Sequence, residues 1–373
     1  QSPSLKIGAS IIIFIFLIPY TASLFNGLSR LFGMAFNIDY TVCIILMGVL
    51  TGIYVIAGGY MATAINDFVQ GCIMLVGICA VVGAILNTQG GFSEALHNLA
   101  AVSDSTTTNG DVPGIYASFF GPEPVNLLGV VLLTSLGTWG LPQMVQKFYA
   151  IKSEDAIHKG TVISTIFALV VSGGCYFMGG FGRLFSDQVD VATEGYDAIV
   201  PTMLSNLPEL LIAIVVILVL SASMSTLSAL VMTSSSTITL DLLKGNMVKK
   251  MNDFQAVFII RCFIVVFIII SMVIAIIQYK YSISFIAQLM GVSWGALAGA
   301  FLAPFLYSLY WKKAAKAACW ASFLFGAGVM SLNLLSNATG LFAFPALLQS
   351  SINCGAFVML AGLVIVPVVS LFT

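Results

Sequence analysis

Ten stretches of this chain run for about twenty residues or more with almost no charge, and no other feature restricts its fold as strongly. They lie near 5–33, 39–57, 61–87, 124–150, 157–185, 208–238, 254–279, 282–310, 314–335 and 350–372. A helix needs about 20 apolar residues to cross about 30 Å of hydrocarbon, so each run is long enough to span a bilayer. The runs are continuously apolar, whereas barrel strands alternate apolar and polar residues, so a transmembrane β-barrel is excluded. Only 8 % of the 373 residues are charged and 59 % are hydrophobic, against about 25 % charged in soluble domains. A water-soluble fold is thereby excluded, and the expectation is an all-α, polytopic membrane protein of about ten transmembrane helices forming a single transmembrane domain over 1–373.

The formal net charge is −1, and without a basic patch nothing calls for a nucleic-acid partner. Local charge is more informative. Lys6, Lys147, Lys152, Lys159, Lys244, Lys249, Lys250, Lys312, Lys313 and Lys316 fall on one side of the predicted bundle, while Arg30, Arg183 and Lys280 fall on the other. The positive-inside rule places the first side in the cytoplasm, with Arg261 about two turns into a helix nearer that face. The outer loops, 88–123 and 186–207, carry the acids Glu94, Asp104, Asp111, Asp187, Asp190, Glu194 and Asp197, expected as solvated loop residues. A multi-pass protein of the plasma or inner membrane is expected. Seven cysteines without CxxC or Cys/His spacing read as small buried hydrophobes, and suggest neither disulfides nor zinc. His97 and His158 lie at or beyond the span ends, with no catalytic cluster, so no enzyme is expected. The Gln1 start and the Thr373 end inside an apolar run suggest a fragment.

Function is sought where polar groups or helix breaks fall within lipid depth, because each must be satisfied by protein, water or a solute. Ser221-Ala-Ser-Met-Ser-Thr-Leu-Ser228, continuing through Thr233 to Thr239, is dense in hydroxyls. Positions 222, 225 and 226 share a helix face. The Ser225 and Thr226 hydroxyls with the Ala222 carbonyl suit a small hard cation such as sodium; bonding back to their own helix or to neighbouring helices is the competing reading. Asp67 is an acid within a span, a cation ligand or proton carrier by default, or else a headgroup-level residue at a helix N-terminus. Gly137, Gly140 and Pro142 should break a helix in 134–142 and free backbone groups for solute or ion, unless the break is a packed kink. Gly291, Gly295 and Gly299 read mainly as a close-packing stripe.

Together these segments resemble the solute:sodium symporter family. Gly58-Gly-Tyr with Thr63, Asp67 and Gln70 resembles its Gly-Gly-x-x-Ala-x-x-x-Thr-Asp-x-x-Gln element, with Asn66 where Thr is common. Ala222-Ser-Met-Ser-Thr-Leu-Ser, followed by Ser235-Ser-Thr-Ile-Thr-Leu-Asp241, is similar to the family's most specific signature. The segment 295–313 resembles its small-residue helix ending in Trp-Lys-Arg, with Lys313 in place of Arg. The resemblance implies an inverted five-helix-repeat transporter fold lacking about three N-terminal helices and so an incomplete first repeat. Residues 1–87 would then be core helices three to five, 124–310 core helices six to ten, and 311–373 two peripheral helices. It implies sodium-coupled symport of a small organic solute, an amino acid such as proline or a carboxylate such as pantothenate, with sodium as coupling ion and no other cofactor. Ala222, Ser225, Thr226 and Asp67 would hold sodium, and Thr134, Thr138, Trp139 and Pro142 would contact the solute. A proton-coupled or uncoupled carrier, or a transporter-derived sensor, is the alternative.

Overall fold

Apolar continuity produces a bundle of long helices. A computed structural model describes residues 2–373 except 106, 150, 191–194, 249 and 282–285, with backbone alone at 60, 61, 245 and 246. Glu194, Lys249 and the first four residues of the span expected at 282–310 lie outside the described residues. The helices are α1 (Pro3–Phe36), α2 (Tyr40–Gly59), α3 (Ala62–Thr88), α4 (Phe92–Ala101), α5 (Pro124–Ser135), α6 (Pro142–Phe148), α7 (Glu154–Gln188), α8 (Ile199–Ser205), α9 (Glu209–Lys244), α10 (Asp253–Tyr281), α11 (Ile286–Tyr310), α12 (Lys316–Thr339), α13 (Ala346–Gln349) and α14 (Ser351–Phe372). No strand occurs among the described residues. Nine helices among them are long and apolar enough to span a membrane, and α5 with α6, bent by 50° across their junction, makes a tenth. With that bent pair counted as one span, the described residues hold helices at all ten expected positions.

Breaks fall where the backbone demands them. Gly59 separates α2 from α3 with φ 61° and ψ −170°, a region open to glycine and costly for side chains with a Cβ. Between α5 and α6 the chain tightens into a 3-10 turn over Gly137–Gly140, and Pro142 opens α6, the helix position where the missing N–H of proline costs nothing. A Cβ on Gly140 would stand 2.8–3.0 Å from the Leu302 backbone and Cβ, so glycine there lets the break pack against α11.

The core is assembled by α1, α2, α9, α10 and α11 around Leu17, Phe25, Ile44, Leu227, Phe267 and Val292. Because hydrocarbon solvates apolar side chains as well as a protein core does, helix association in lipid depends on close van der Waals packing. The 291–299 stripe supplies it. A Cβ on Gly295 would lie 2.6 Å from the Gly355 Cα, and one on Gly299 would lie 3.3 Å from the Gly326 Cα, so α11, α12 and α14 approach backbone to backbone. The cysteines depart from expectation. Cys43 and Cys354 are buried and Cys319 is intermediate, but Cys72, Cys79, Cys175 and Cys262 are exposed on the bundle. In lipid an apolar thiol need not face inward.

Ion pairs respect the expected sidedness. Lys6 reaches Asp241 at 2.9 Å, Lys244 reaches Asp253 at 2.7 Å and Lys147 stands 3.8 Å from Asp67, all on the lysine-rich face. On the other face Arg183 pairs with Asp104 and lies over the Tyr116 ring. Asp197 accepts the Ile286 N–H at 3.1–3.2 Å and so caps α11. Both acids were expected as merely solvated; each instead ties a loop to a helix.

Candidate functional site

The hydroxyl-rich face of α9 is held in one piece by its own helix. Ser225 and Thr226 each donate to the Ala222 carbonyl at 3.0 Å, and Ser228 donates to the Ser225 carbonyl at 3.0 Å. This is the helix back-bonding that competed with the cation reading, and it also gathers three oxygens at one spot. A hydroxyl that donates keeps lone pairs, so the group can still present oxygen to a cation. Ala222, Ser225 and Thr226 are only part-buried and line a cavity of about 500 Å³.

That cavity also contains Asp67. The helix restarts at Ala62 after the Gly59 break, so Asp67 sits five residues in, about 7.5 Å along the axis. Asp67 on α3 and the 222–226 group on α9 thus line one cavity. The Asp67 Oδ1 is buried without a partner, an arrangement that costs free energy unless something supplies a cation or donor. Three neutral or partial oxygen donors with one carboxylate form a hard-donor set suited to sodium and unsuited to soft transition metals. Among the described residues no group of three or more His, Cys, Asp or Glu side chains could hold a metal of that kind.

Towards the lysine-rich face a second cavity of about 600 Å³ adjoins the first, sharing Asp67, Gln143, Lys147 and Ala229 with it. Thr233 donates to the Gln146 Oε1 at 2.9 Å, tying α9 to α6. Gln143 is 4 % exposed, and neither its amide nitrogen nor its amide oxygen has a partner. At the opposite end of the first cavity stands Tyr20, edge-on to Trp294 with ring centroids 5.8 Å apart.

Thr134, Thr138, Trp139 and Pro142 are not among the residues lining either cavity. Thr134 donates to the Val130 carbonyl at 2.7 Å and Thr138 to the Ser135 carbonyl at 2.8 Å. Trp139 is exposed, and Pro142 is the first residue of α6. The break these residues make points the next turn, Gln143 to Lys147, into the cavities. Sequence reasoning did not single out Gln146 or Tyr20, and read Lys147 for sidedness and, with Gln143 in the Leu141-Pro-Gln…Lys147 run, as a resemblance to the proline and pantothenate branches of the family, not as lining a cavity. Its one usable signal was the Gln-x-x-Gln-Lys spacing after the proline, which places 143, 146 and 147 on one helix face.

Fold and cavity together define a multi-pass helical membrane protein with a polar-lined cavity between its helices. The sequence profile of the sodium:solute symporter family matches residues 1–326, and the chain belongs to that family. It is 27 % identical over 346 residues to the osmoregulated proline transporter OpuE of Bacillus subtilis, covering 92 % of this chain and 68 % of that protein. It is 29 % identical over 333 residues to the sodium/proline symporter of Staphylococcus aureus, covering 87 % of this chain and 62 % of the relative. The chain thus spans about two thirds of the length of these relatives. Its fold is similar to the substrate-bound, outward-open structure of a Na⁺-coupled sialic acid symporter, with a TM-score of 0.69 and 17 % identity over 98 % of this chain and 75 % of that one. The all-helical, polytopic fold expected from the sequence is thus shared with a solved sodium-coupled symporter.

Proposed function

We propose that the protein carries out sodium-coupled symport of a small organic solute, an amino acid such as proline or a carboxylate such as pantothenate, into the cell by alternating access. One observation carries the reading: Ala222, Ser225, Thr226 and Asp67, contributed by helices far apart in sequence, line one cavity in a chain that belongs to a sodium symporter family. In this reading Ala222 offers its carbonyl, Ser225 and Thr226 their hydroxyls, and Asp67 its unpartnered Oδ1 to sodium. Residues 1–87 act as core helices three to five, 124–310 as core helices six to ten and 311–373 as a peripheral pair.

The break at 134–142 acts as a hinge. Thr134, Thr138, Trp139 and Pro142 contact the solute in this reading when the hinge brings them towards it, and Gln143 and Lys147 move with them as part of α6. Each sodium crossing 100 mV supplies about 2.3 kcal/mol, and every tenfold concentration ratio adds about 1.4 kcal/mol. Coupling requires that sodium favour the arrangement that binds solute, in which case each ligand raises the affinity of the other.

The test is uptake by the full-length protein in proteoliposomes, with a panel containing proline, pantothenate, sialic acid and sugars, under an imposed sodium gradient and a potassium control. Sodium-dependent accumulation of one solute is expected. Accumulation that ignores sodium and rises with external acid would overturn the sodium reading in favour of proton coupling.

A further inference from the structure

The second cavity has a chemical character of its own. Of the residues lining its roughly 600 Å³, Asp67 and Lys147 carry charge, one of each sign, beside the amides of Gln143 and Gln146 and the hydroxyl of Ser228. Its volume falls within the range of small-molecule sites, about 300–1,000 Å³. The two charges form a long ion pair: 3.8 Å separates Lys147 Nζ from Asp67 Oδ2, beyond the 2.7–3.2 Å typical of a tight N–H···O bond. The Lys147 side chain is half-exposed on a flexible stem, whereas Asp67 is mostly covered. In the same lining Gln143, 4 % exposed, has a donor and an acceptor both unused. A buried amide left this way costs free energy that a ligand with matching groups recovers.

We infer that this cavity is a release-side binding site for a zwitterionic solute, a compact molecule carrying a primary or secondary ammonium next to a carboxylate, as α-amino acids and their cyclic secondary-amine counterparts do. The inference rests on the reading of the protein as a solute carrier and narrows its substrate class.

The solute carboxylate accepts from the Lys147 ammonium and the Gln143 Nε2, while its cationic nitrogen donates to the Asp67 Oδ2 and the Gln143 Oε1. The lining carries no net charge, so a ligand with no net charge leaves it balanced. A monocarboxylate would draw Lys147 away and leave Asp67 unpaired, and a simple amine would draw Asp67 away and leave Lys147 unpaired, each costly in a partly desolvated site. Met232, Ala229 and Leu240 line the apolar part of the wall and suit a small hydrocarbon body. The Asp67 Oδ1 remains for the cation at the 222–226 group, so the two oxygens of one carboxylate face two ligands. Because the site lies on the lysine-rich side of that group, the solute reaches it on the way into the cytoplasm.

The experiment is equilibrium binding to the full-length protein in nanodiscs, with and without sodium. The probes are the twenty standard amino acids, plus cyclopentanecarboxylate and pyrrolidine as the single-charge halves of proline. At least one amino acid is expected to bind, with both single-charge probes at least tenfold weaker. Lys147→Met and Gln143→Ala should each weaken that amino acid tenfold or more, and Lys147→Arg should stay within about threefold, which separates charge recognition from a folding defect. Binding of no amino acid, equal binding of cyclopentanecarboxylate, or unchanged affinity in both Lys147→Met and Gln143→Ala would overturn the site. Amino acid binding that obeys these expectations yet is indifferent to sodium would leave the site standing and remove the coupling reading instead.

Discussion

The Lys147 ammonium, on a helix opened by a proline break, stands 3.8 Å from the Asp67 carboxylate, on a helix opened by a glycine break. Two interruptions thus place opposite charges, on residues 80 positions apart, at one cavity wall. Helix breaks of this kind are where secondary transporters place ion and solute contacts.

Removing a hydroxyl from the cation group should be felt in sodium dependence first. A single polar ligand contributes on the order of 1 kcal/mol, roughly fivefold in an equilibrium. Ser225→Ala and Thr226→Ala in the full-length protein are therefore expected each to raise the sodium concentration for half-maximal uptake about five- to tenfold, with membrane insertion unchanged. An unchanged sodium requirement in both would remove these residues as ligands.

Charge at position 67 matters more than shape. Asp67→Asn keeps the size of the side chain and one acceptor but leaves Lys147 without its counter-charge. The sodium requirement should rise by more than tenfold, and Asp67→Glu should recover part of the loss. Sodium titration of uptake for the three forms is the check, and Asn behaving like Asp would contradict the assignment.

The helix stripe at 291–299 sets a packing prediction independent of function. Gly295→Ala drives a methyl against the Gly355 Cα, 2.6 Å away, and the Met330 side chain at 2.9–3.0 Å. Such overpacking costs typically 1–3 kcal/mol, and the unfolding temperature in detergent should fall. Gly328→Ala, where a Cβ meets nothing within 4 Å, should leave it unchanged or raise it.

A pH dependence follows from Asp197. Burial raises its carboxyl above the ordinary 3.8, and the Ile286 N–H and the nearby Arg30 charge oppose that shift only in part. A raised folded-state value means that the protonated form is favoured on folding. Its stabilising contribution is fully present below the unfolded value and is lost as pH rises through the folded one. Thermal stability should decline over that window, and the decline should be smaller in Asp197→Asn, which keeps an acceptor for the Ile286 N–H without the charge. An identical pH profile in the two proteins would contradict this role.

The spans were legible because continuous apolar runs have one solution in lipid, and the break at 134–142 was legible because Gly137, Gly140 and Pro142 act on their own backbone. Close packing at Gly291, Gly295 and Gly299 followed from spacing alone. The cavities did not. Gln143 and Tyr20 are ordinary residues in sequence, and their importance arises only when α6 and α1 meet α3 and α9. Lys147 has the composition of a membrane-boundary residue, and its approach to Asp67 depends on the 50° bend at the α5–α6 junction. The exposed cysteines and the Asp197 cap likewise depend on which faces pair, information that no single helix contains.

In the proposed mechanism sodium and solute bind as coupled ligands through the 222–226 group and Asp67. Its most direct test is radioactive sodium uptake by proteoliposomes of the full-length protein, with and without the transported solute outside. Solute is expected to accelerate sodium entry at least severalfold in the native protein, and the Ser225→Ala/Thr226→Ala double variant should lose that stimulation. Sodium entry indifferent to solute, or stimulation that survives in the double variant, would contradict the account.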